Sequence, residues 1–308
     1  MSNILVTGGC GFIGSNLVKA LEKQGNKVWI IDDLSTGNEE NLADCDIPED
    51  RKIYRNLFSG FELAREKQKF KSNPLDLIYH LGIPSSSPIY KEQHSKTASA
   101  IGEFIYILDY CVKHKTPLVY ASSSSIYNGH DLPHTENLKP YPLDYYTEAR
   151  YSMERLAEMY SQLYDLPSIG LRFFSVYGPR EKAKGDYANV ITQMILKKKF
   201  TIYGNGTQTR DFTHVNDVVR ALILAGKEVK LPGDLIYNVG TGRETSFTEV
   251  AEMIQKLTPL EIDYKKVNPL KNYVAKTCAN TSSARLALGF EAKVTLEEGL
   301  EMQVREYA

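Results

Sequence analysis

The chain lacks several features that would have assigned it quickly. None of its 308 residues fall in a run approaching the roughly eighteen consecutive apolar residues of a membrane span. Its charges nearly cancel: 37 Lys and Arg against 38 Asp and Glu leave a formal net charge of −1. The basic run Lys197-Lys198-Lys199 reads as a solvated helix end, so neither nucleic acid nor a membrane surface is expected as a partner. The four cysteines, Cys10, Cys45, Cys111 and Cys278, stand far apart, without the paired spacing of a disulfide framework or a zinc site. Six histidines are equally scattered, and no metal is expected. An apolar strand begins at Ile4, close behind Met1, so the expectation is a chain without a signal peptide in a reducing cytoplasm.

What the chain does have is a glycine-rich turn between a strand and a helix. Ile4-Leu5-Val6-Thr7 runs into Gly8, Gly11 and Gly14, and the amphipathic segment of Leu17, Val18, Ala20 and Leu21 follows. Glycine lets a backbone turn tightly and approach a ligand, and the helix N-terminus behind it offers unpaired N–H groups to a pyrophosphate. The next strand, Lys27–Ile31, ends in Asp32, about twenty residues on, where a carboxylate takes ribose hydroxyls in dinucleotide sites. Asp32 would repel a 2′-phosphate and no arginine follows nearby, so NAD is expected over NADP.

Strand-like runs at Lys52–Arg55, Leu75–Leu81, Pro117–Ala121 and Ser168–Phe173 alternate with helical periodicity, clearest at Ala98–Val112 and Tyr146–Tyr164. This rhythm predicts an α/β fold: a doubly wound parallel (Rossmann) sheet with a smaller C-terminal substrate-binding α/β cap. The expected division is 1–172 for the NAD-binding part, with 211–243 returning to it, and 173–210 plus 244–308 for the cap. Shorter helical patterns in the later chain fall at Asn189–Lys197, Asn216–Ala225, Thr248–Leu257 and Leu296–Val304.

Reactive groups gather in two places. The fifth strand ends in Ala121-Ser122-Ser123-Ser124-Ser125, putting hydroxyls at the sheet's carboxyl edge. The following long helix carries Tyr146 and Arg150, one turn apart and facing one way. A tyrosine beside a fixed cation makes a usable base, and a serine hydroxyl could share its proton. Each feature alone has a plain structural reading, as a turn cap or an exposed helix pair. Together, behind a dinucleotide turn, they point to redox chemistry on a hydroxyl.

Ordered matches extend these signals along nearly the whole chain. They are Thr7–Ser15, Asp32–Gly37, His80-Leu81, Ala121–Tyr127, Leu171–Arg180, Tyr203–Phe212, Tyr237–Gly242 and Leu286–Phe290. On them the chain resembles the extended short-chain dehydrogenase/reductase enzymes of the NAD-dependent epimerase/dehydratase family, typified by UDP-glucose 4-epimerases. The resemblance implies that Tyr146 takes the proton from a sugar 4-hydroxyl with Ser123 bridging, Ser123 being the serine four residues before Tyr127. It implies NAD contacts from Gly8, Gly11, Phe12, Ile13 and Gly14, and from Asp32, Asp33, Ser35, Thr36 and Gly37. Further contacts would come from Asn56, Leu57, Leu81, Gly82, Ser99, Ala121, Phe173 and Phe174, with Tyr146 and Arg150 at the nicotinamide end. A nucleotide sugar, most simply a UDP-sugar, would meet Ser85, Ser86, Ser123, Ser175, Asn189, Tyr203, Arg210, Asn268 and Lys271. In many relatives the two long helices form a four-helix dimer interface, so a homodimer is expected.

The family pattern is altered at informative positions. Arg150 replaces its lysine, and the two are not interchangeable. Ser175 replaces an asparagine, Asn268 an arginine and Lys271 an aspartate around the substrate phosphates. Asn56 stands for an aspartate near adenine, and Ser99 for an asparagine. Ser124 and Ser125 sit where 4,6-dehydratases carry an acidic pair. The leading expectation is therefore a UDP-hexose 4-epimerase working through a transient 4-keto sugar. A dehydratase, reductase or decarboxylase on a related sugar nucleotide stays open, as does an attenuated NAD-binding relative with little turnover.

Overall fold

Side-chain alternation along short apolar strands builds the sheet. The computed structural model describes residues 1–55, 70, 73–203, 206–231, 233–265 and 274–307. Strands β1 (Asn3–Thr7), β2 (Lys27–Asp32), β3 (Lys52–Tyr54), β4 (Leu77–His80), β5 (Leu118–Ser123), β6 (Pro167–Phe173) and β11 (Gly233–Val239) form one sheet of seven. All run parallel, in the order β11-β6-β5-β4-β1-β2-β3. Val6, Ile30, Tyr79 and Val119 point to one face, and Leu5, Trp29, Ile78 and Tyr120 to the other. Both faces are covered, as an all-parallel sheet requires.

On the first face lie α1 (Phe12–Lys23), α6 (Val215–Glu228) and α8 (Ser282–Leu288), which contribute Leu17, Leu21, Val218, Leu222 and Leu288 to that core. The second face holds α3 (Ser95–His114) and α4 (Tyr145–Tyr164), through Phe104, Ile107, Leu108, Met153 and Ala157. A short helix, α2 (Ser87–Glu92), precedes α3. The later chain builds a separate core over Tyr177, Ile191, Met194, Ile254 and Leu300. Its helices are α5 (Val190–Lys197), α7 (Phe247–Leu257) and α9 (Leu296–Tyr307), beside the parallel pair β8 (Lys199–Tyr203) and β13 (Glu261–Lys265). Two small pairs complete it: β7 (Val176–Tyr177) with β10 (Thr213–His214), and β9 (Thr209–Arg210) with β12 (Thr245–Ser246). No helix among the described residues is long and apolar enough to cross a membrane.

The periodicity-based elements fall within a few residues of those observed, and the caps explain where helices start. Asp144 accepts from the Thr147 N–H at 2.8 Å while the Thr147 hydroxyl oxygen accepts from the Asp144 N–H at 3.1 Å, a reciprocal cap that starts α4. Ser246 and Glu249 do the same for α7. The helices α2 and α8 were not expected, being too short to show a period.

A buried polar cluster fixes how α4 sits on the sheet. Arg172 on β6 meets Glu154 on α4 through two parallel hydrogen bonds, of 2.7 and 2.9 Å. Ser122 on β5 donates to the same carboxylate, and Arg172 also donates to the Tyr127 hydroxyl, which donates in turn to Asn238 at 2.8 Å. Both charged side chains are 5% exposed, so removing either leaves its partner charged and desolvated. Replacing the arginine, Arg172→Leu, is expected to lower the unfolding free energy by about 3–5 kcal/mol in urea denaturation. A loss below about 1 kcal/mol would mean the pair does not hold the helix in place.

Candidate active site

The strand order reverses between β1 and β4, and a cleft opens there at the strands' carboxyl ends, where ligands bind in such sheets. The turn after β1 can exist only with glycine at two positions. Gly8 takes a φ of +68°, and a Cβ on it would lie 2.6 Å from the Gly82 backbone. A Cβ on Gly14 would lie 1.9 Å from the Gly8 carbonyl oxygen. Gly11 starts α1 without a side-chain cap, so the first-turn N–H groups are left to a ligand. Beside this turn, Asp32 accepts from the main-chain N–H of Cys10 and of Leu34, each at 2.8 Å. Burial pushes its carboxyl above the usual range while those N–H donors pull against the shift. A glycine cradle open at a helix N-terminus, with a held carboxylate alongside, fits a dinucleotide with free ribose hydroxyls.

Further along the cleft the reactive groups come together. Ser123 ends β5, its hydroxyl oxygen accepting from the Ser125 N–H at 3.2 Å. Tyr146, in the first turn of α4, packs edge-on to Tyr90 at 5.5 Å and remains 8% exposed at the cleft wall. The Arg150 guanidinium carbon lies 5.1 Å from the Tyr146 ring centroid. Arg150 is 3% exposed and donates to two main-chain carbonyls, Ala121 at 3.0 Å and Pro84 at 3.2 Å. Its Nε has no hydrogen-bond partner among the described residues. Beneath it, His80 pairs its Nδ1 with the Thr7 hydroxyl at 2.8 Å. Burial, reinforced by the Arg150 charge, pushes that imidazole down to about 3, so His80 is neutral and structural at ordinary pH. The Cys10 thiol within the turn is pushed up to about 12, chiefly by burial, and is no nucleophile there.

The expected cofactor positions Gly8, Gly11, Phe12, Ile13, Gly14, Asp32, Asp33, Ser35, Thr36, Gly37, Leu81, Gly82, Ser99, Ala121 and Phe173 all line this cleft. Ser85, Ser86, Ser123, Ser175, Asn189 and Arg210 line it as well. Phe174 does not. Its side chain turns away from that of Phe173 and is fully buried against Tyr127 and His134. Asn189 serves mainly as a cap: its oxygen accepts from the Ile191 N–H and its amide donates to Val176. Tyr203 closes β8. Asn56, Leu57, Asn268 and Lys271 lie outside the described residues.

The cleft also holds charges that the sequence reading passed over. Lys184 lies 5.8 Å from the Phe12 ring centroid and pairs with buried Glu181 at 3.1 Å, in a turn-rich stretch without periodicity. Glu103 and Lys96 line the wall from α3. Glu103 had a legible signal, a charged residue one turn beyond Ser99 on a face otherwise built of Ala100, Phe104 and Ile107. Among the described residues no three His, Cys, Asp or Glu side chains gather as metal ligands do.

Known proteins share this chain's sequence pattern and fold. A family model described as the NAD dependent epimerase/dehydratase family matches residues 4–240. An uncharacterized UDP-glucose epimerase of Bacillus subtilis (strain 168) is 30% identical over 315 residues, covering 98% of this chain and 96% of its own. The crystal structure of a UDP-glucose 4-epimerase of Thermotoga maritima with UDP-glucose superposes with a TM-score of 0.89 at 31% identity, over 99% of this chain and 98% of that one. A UDP-glucuronic acid 4-epimerase of Bacillus cereus, in complex with UDP-glucuronic acid and NAD, gives 0.86 at 28% identity, again over 99% and 98%.

Proposed function

Because the chain belongs to the NAD dependent epimerase/dehydratase family, whose cofactor is NAD, we propose that it is a 4-epimerase of UDP-hexoses. The observation that carries this reading is Ser123, Tyr146 and Arg150 assembled on one cleft wall beside the dinucleotide cradle. Serines at 124 and 125 supply no carboxyl acid for eliminating water, which favours epimerisation over dehydration. The relatives act on different sugars at similar identity, so the hexose itself is part of the proposal.

Bound NAD supplies the hydride acceptor and, on the return, the hydride donor. The protein's own task is the proton. Tyr146 removes the proton of the 4-hydroxyl as that carbon is oxidised, Ser123 relays it, and both return it after the keto sugar has presented its other face. Gly8, Gly11 and the first turn of α1 hold the dinucleotide's pyrophosphate, and Asp32 takes ribose hydroxyls. Arg210 and Lys184, both on the cleft wall, face the diphosphate of the sugar nucleotide.

A second reading has one observation behind it. Arg150 already donates to Ala121 and Pro84, which ties the guanidinium plane to the protein and fixes where its remaining N–H groups can point, a constraint that a lysine ammonium on a flexible stem would not carry. That favours a relative that binds NAD but turns over slowly.

Two measurements test these proposals. Incubation with UDP-glucose, UDP-galactose and their N-acetyl counterparts is expected to yield the 4-epimer without net NADH, and Tyr146→Phe to lower kcat by about 10²-fold or more. Arg150→Lys is expected to lower it too; a gain supports the slow-turnover reading, and no epimer from the whole panel with NAD bound removes the epimerase reading. We also propose a homodimer through α3 and α4, which expose Tyr106, Met159, Leu163 and Tyr164. Light scattering at micromolar concentration should give twice the chain mass, and a monomeric mass overturns it. The four free cysteines suit a reducing cytoplasm.

A further inference from the structure

One buried charge at the cleft has no part in the chemistry above. Glu103 projects from α3 one turn beyond Ser99, is 8% exposed, and lines the cleft wall. No residue among those described makes a hydrogen bond or ion pair with its carboxyl. Burial raises it to about 7, with Asp33 pushing in the same direction and Lys96, on the same helix, pulling down. A carboxyl this largely buried, open only in part to the cleft and with no hydrogen-bond partner among the described residues, is costly to keep ionised, and a ligand's N–H would offset that cost. Its neighbour Asp33 places it at the adenosine end, where Asp32 already stands ready for the ribose hydroxyls. Another donor on that part of a dinucleotide is the exocyclic amine of the base, near which the family resemblance puts position 56, where this chain carries a neutral asparagine instead of an aspartate.

We propose that Glu103 is the base-selecting residue of the dinucleotide site, its carboxylate accepting a hydrogen bond from the adenine amine. Asp32 and Asp33, beside Glu103, also oppose a 2′-phosphate, with Lys96 and Arg55 among the charges that share the cleft. The inference rests on the dinucleotide site alone and is independent of which sugar is epimerised.

Calorimetric titration with NAD and with its purine analogue, in which hydrogen replaces the adenine amine, tests it without recourse to activity. At pH 8 the wild-type protein should bind NAD about tenfold or more tightly than the analogue, the value of a charge-assisted hydrogen bond. Glu103→Leu should bring the two affinities within about twofold, and Glu103→Gln, which keeps a neutral acceptor, should leave an intermediate gap. The wild-type gap should narrow toward pH 5.5 as the carboxyl takes up a proton. Because its folded value lies above the usual carboxyl value, this group favours folding at low pH and loses that contribution as pH rises through about 7. Glu103→Leu should therefore melt higher than wild type at pH 8, by a margin that shrinks toward pH 5.5. Equal weakening of both dinucleotides would assign Glu103 to the ribose and overturn the proposal. So would wild-type indifference to the amine, or a gap that survives in both variants. Should the leucine variant fail to fold, the glutamine variant decides.

Discussion

A buried guanidinium held by main-chain carbonyls organises the reactive end of this protein. Arg150 is desolvated, and it satisfies part of its donor set with Ala121 on β5 and Pro84 in the loop after β4. A planar fork can reach two carbonyls at once, which a lysine ammonium does less rigidly. One turn further along α4, Glu154 meets Ser122 and Arg172. Two successive turns of α4 are thus fastened to two successive residues of β5, and this double attachment sets Tyr146 against the strand end that carries Ser123. His80 beneath is neutral, and the Arg150 guanidinium carbon lies 5.1 Å from the centroid of that phenol ring.

Charges of both signs line the cleft. Asp32 ends β2, Asp33 follows it and acts on Glu103, while Lys96 on the same helix as Glu103 and Lys184 beside Phe12 bring positive charge to that region and Arg150 to the reactive end. Such a mixture suits a ligand pair that offers hydroxyl and amine donors as well as diphosphates. It also explains how a chain with almost no net charge recognises anionic ligands: the selectivity lies in local placement, not in an overall field.

Much of this was legible in the chain before folding. The glycine turn, Asp32 at the end of β2, and the Tyr146–Arg150 spacing each follow from local geometry, because one strand end and one helix turn determine them. The doubly wound sheet was equally open to reading, since buried parallel strands and amphipathic helices leave different periods. What escaped was set by tertiary contact. That Arg150 turns its N–H groups toward Ala121 and Pro84 depends on strands remote in sequence. Phe173 and Phe174 cannot be told apart by type, and only the end of the sheet decides which faces the cleft. Asn189 carries polar groups suited to a phosphate, yet helix α5 needed a cap at that position. Lys184 lies in an aperiodic stretch, where spacing carries no information.

The account stands or falls on whether oxidation and return occur at one sugar carbon in one closed site. Its most direct test is conversion of UDP-glucose bearing deuterium at C4, followed by proton magnetic resonance and mass spectrometry. The account predicts UDP-galactose with the deuterium still at C4 and no accumulation of reduced cofactor. Loss of the label to solvent, a label found elsewhere on the sugar, or no galactose product from an NAD-loaded protein would contradict it.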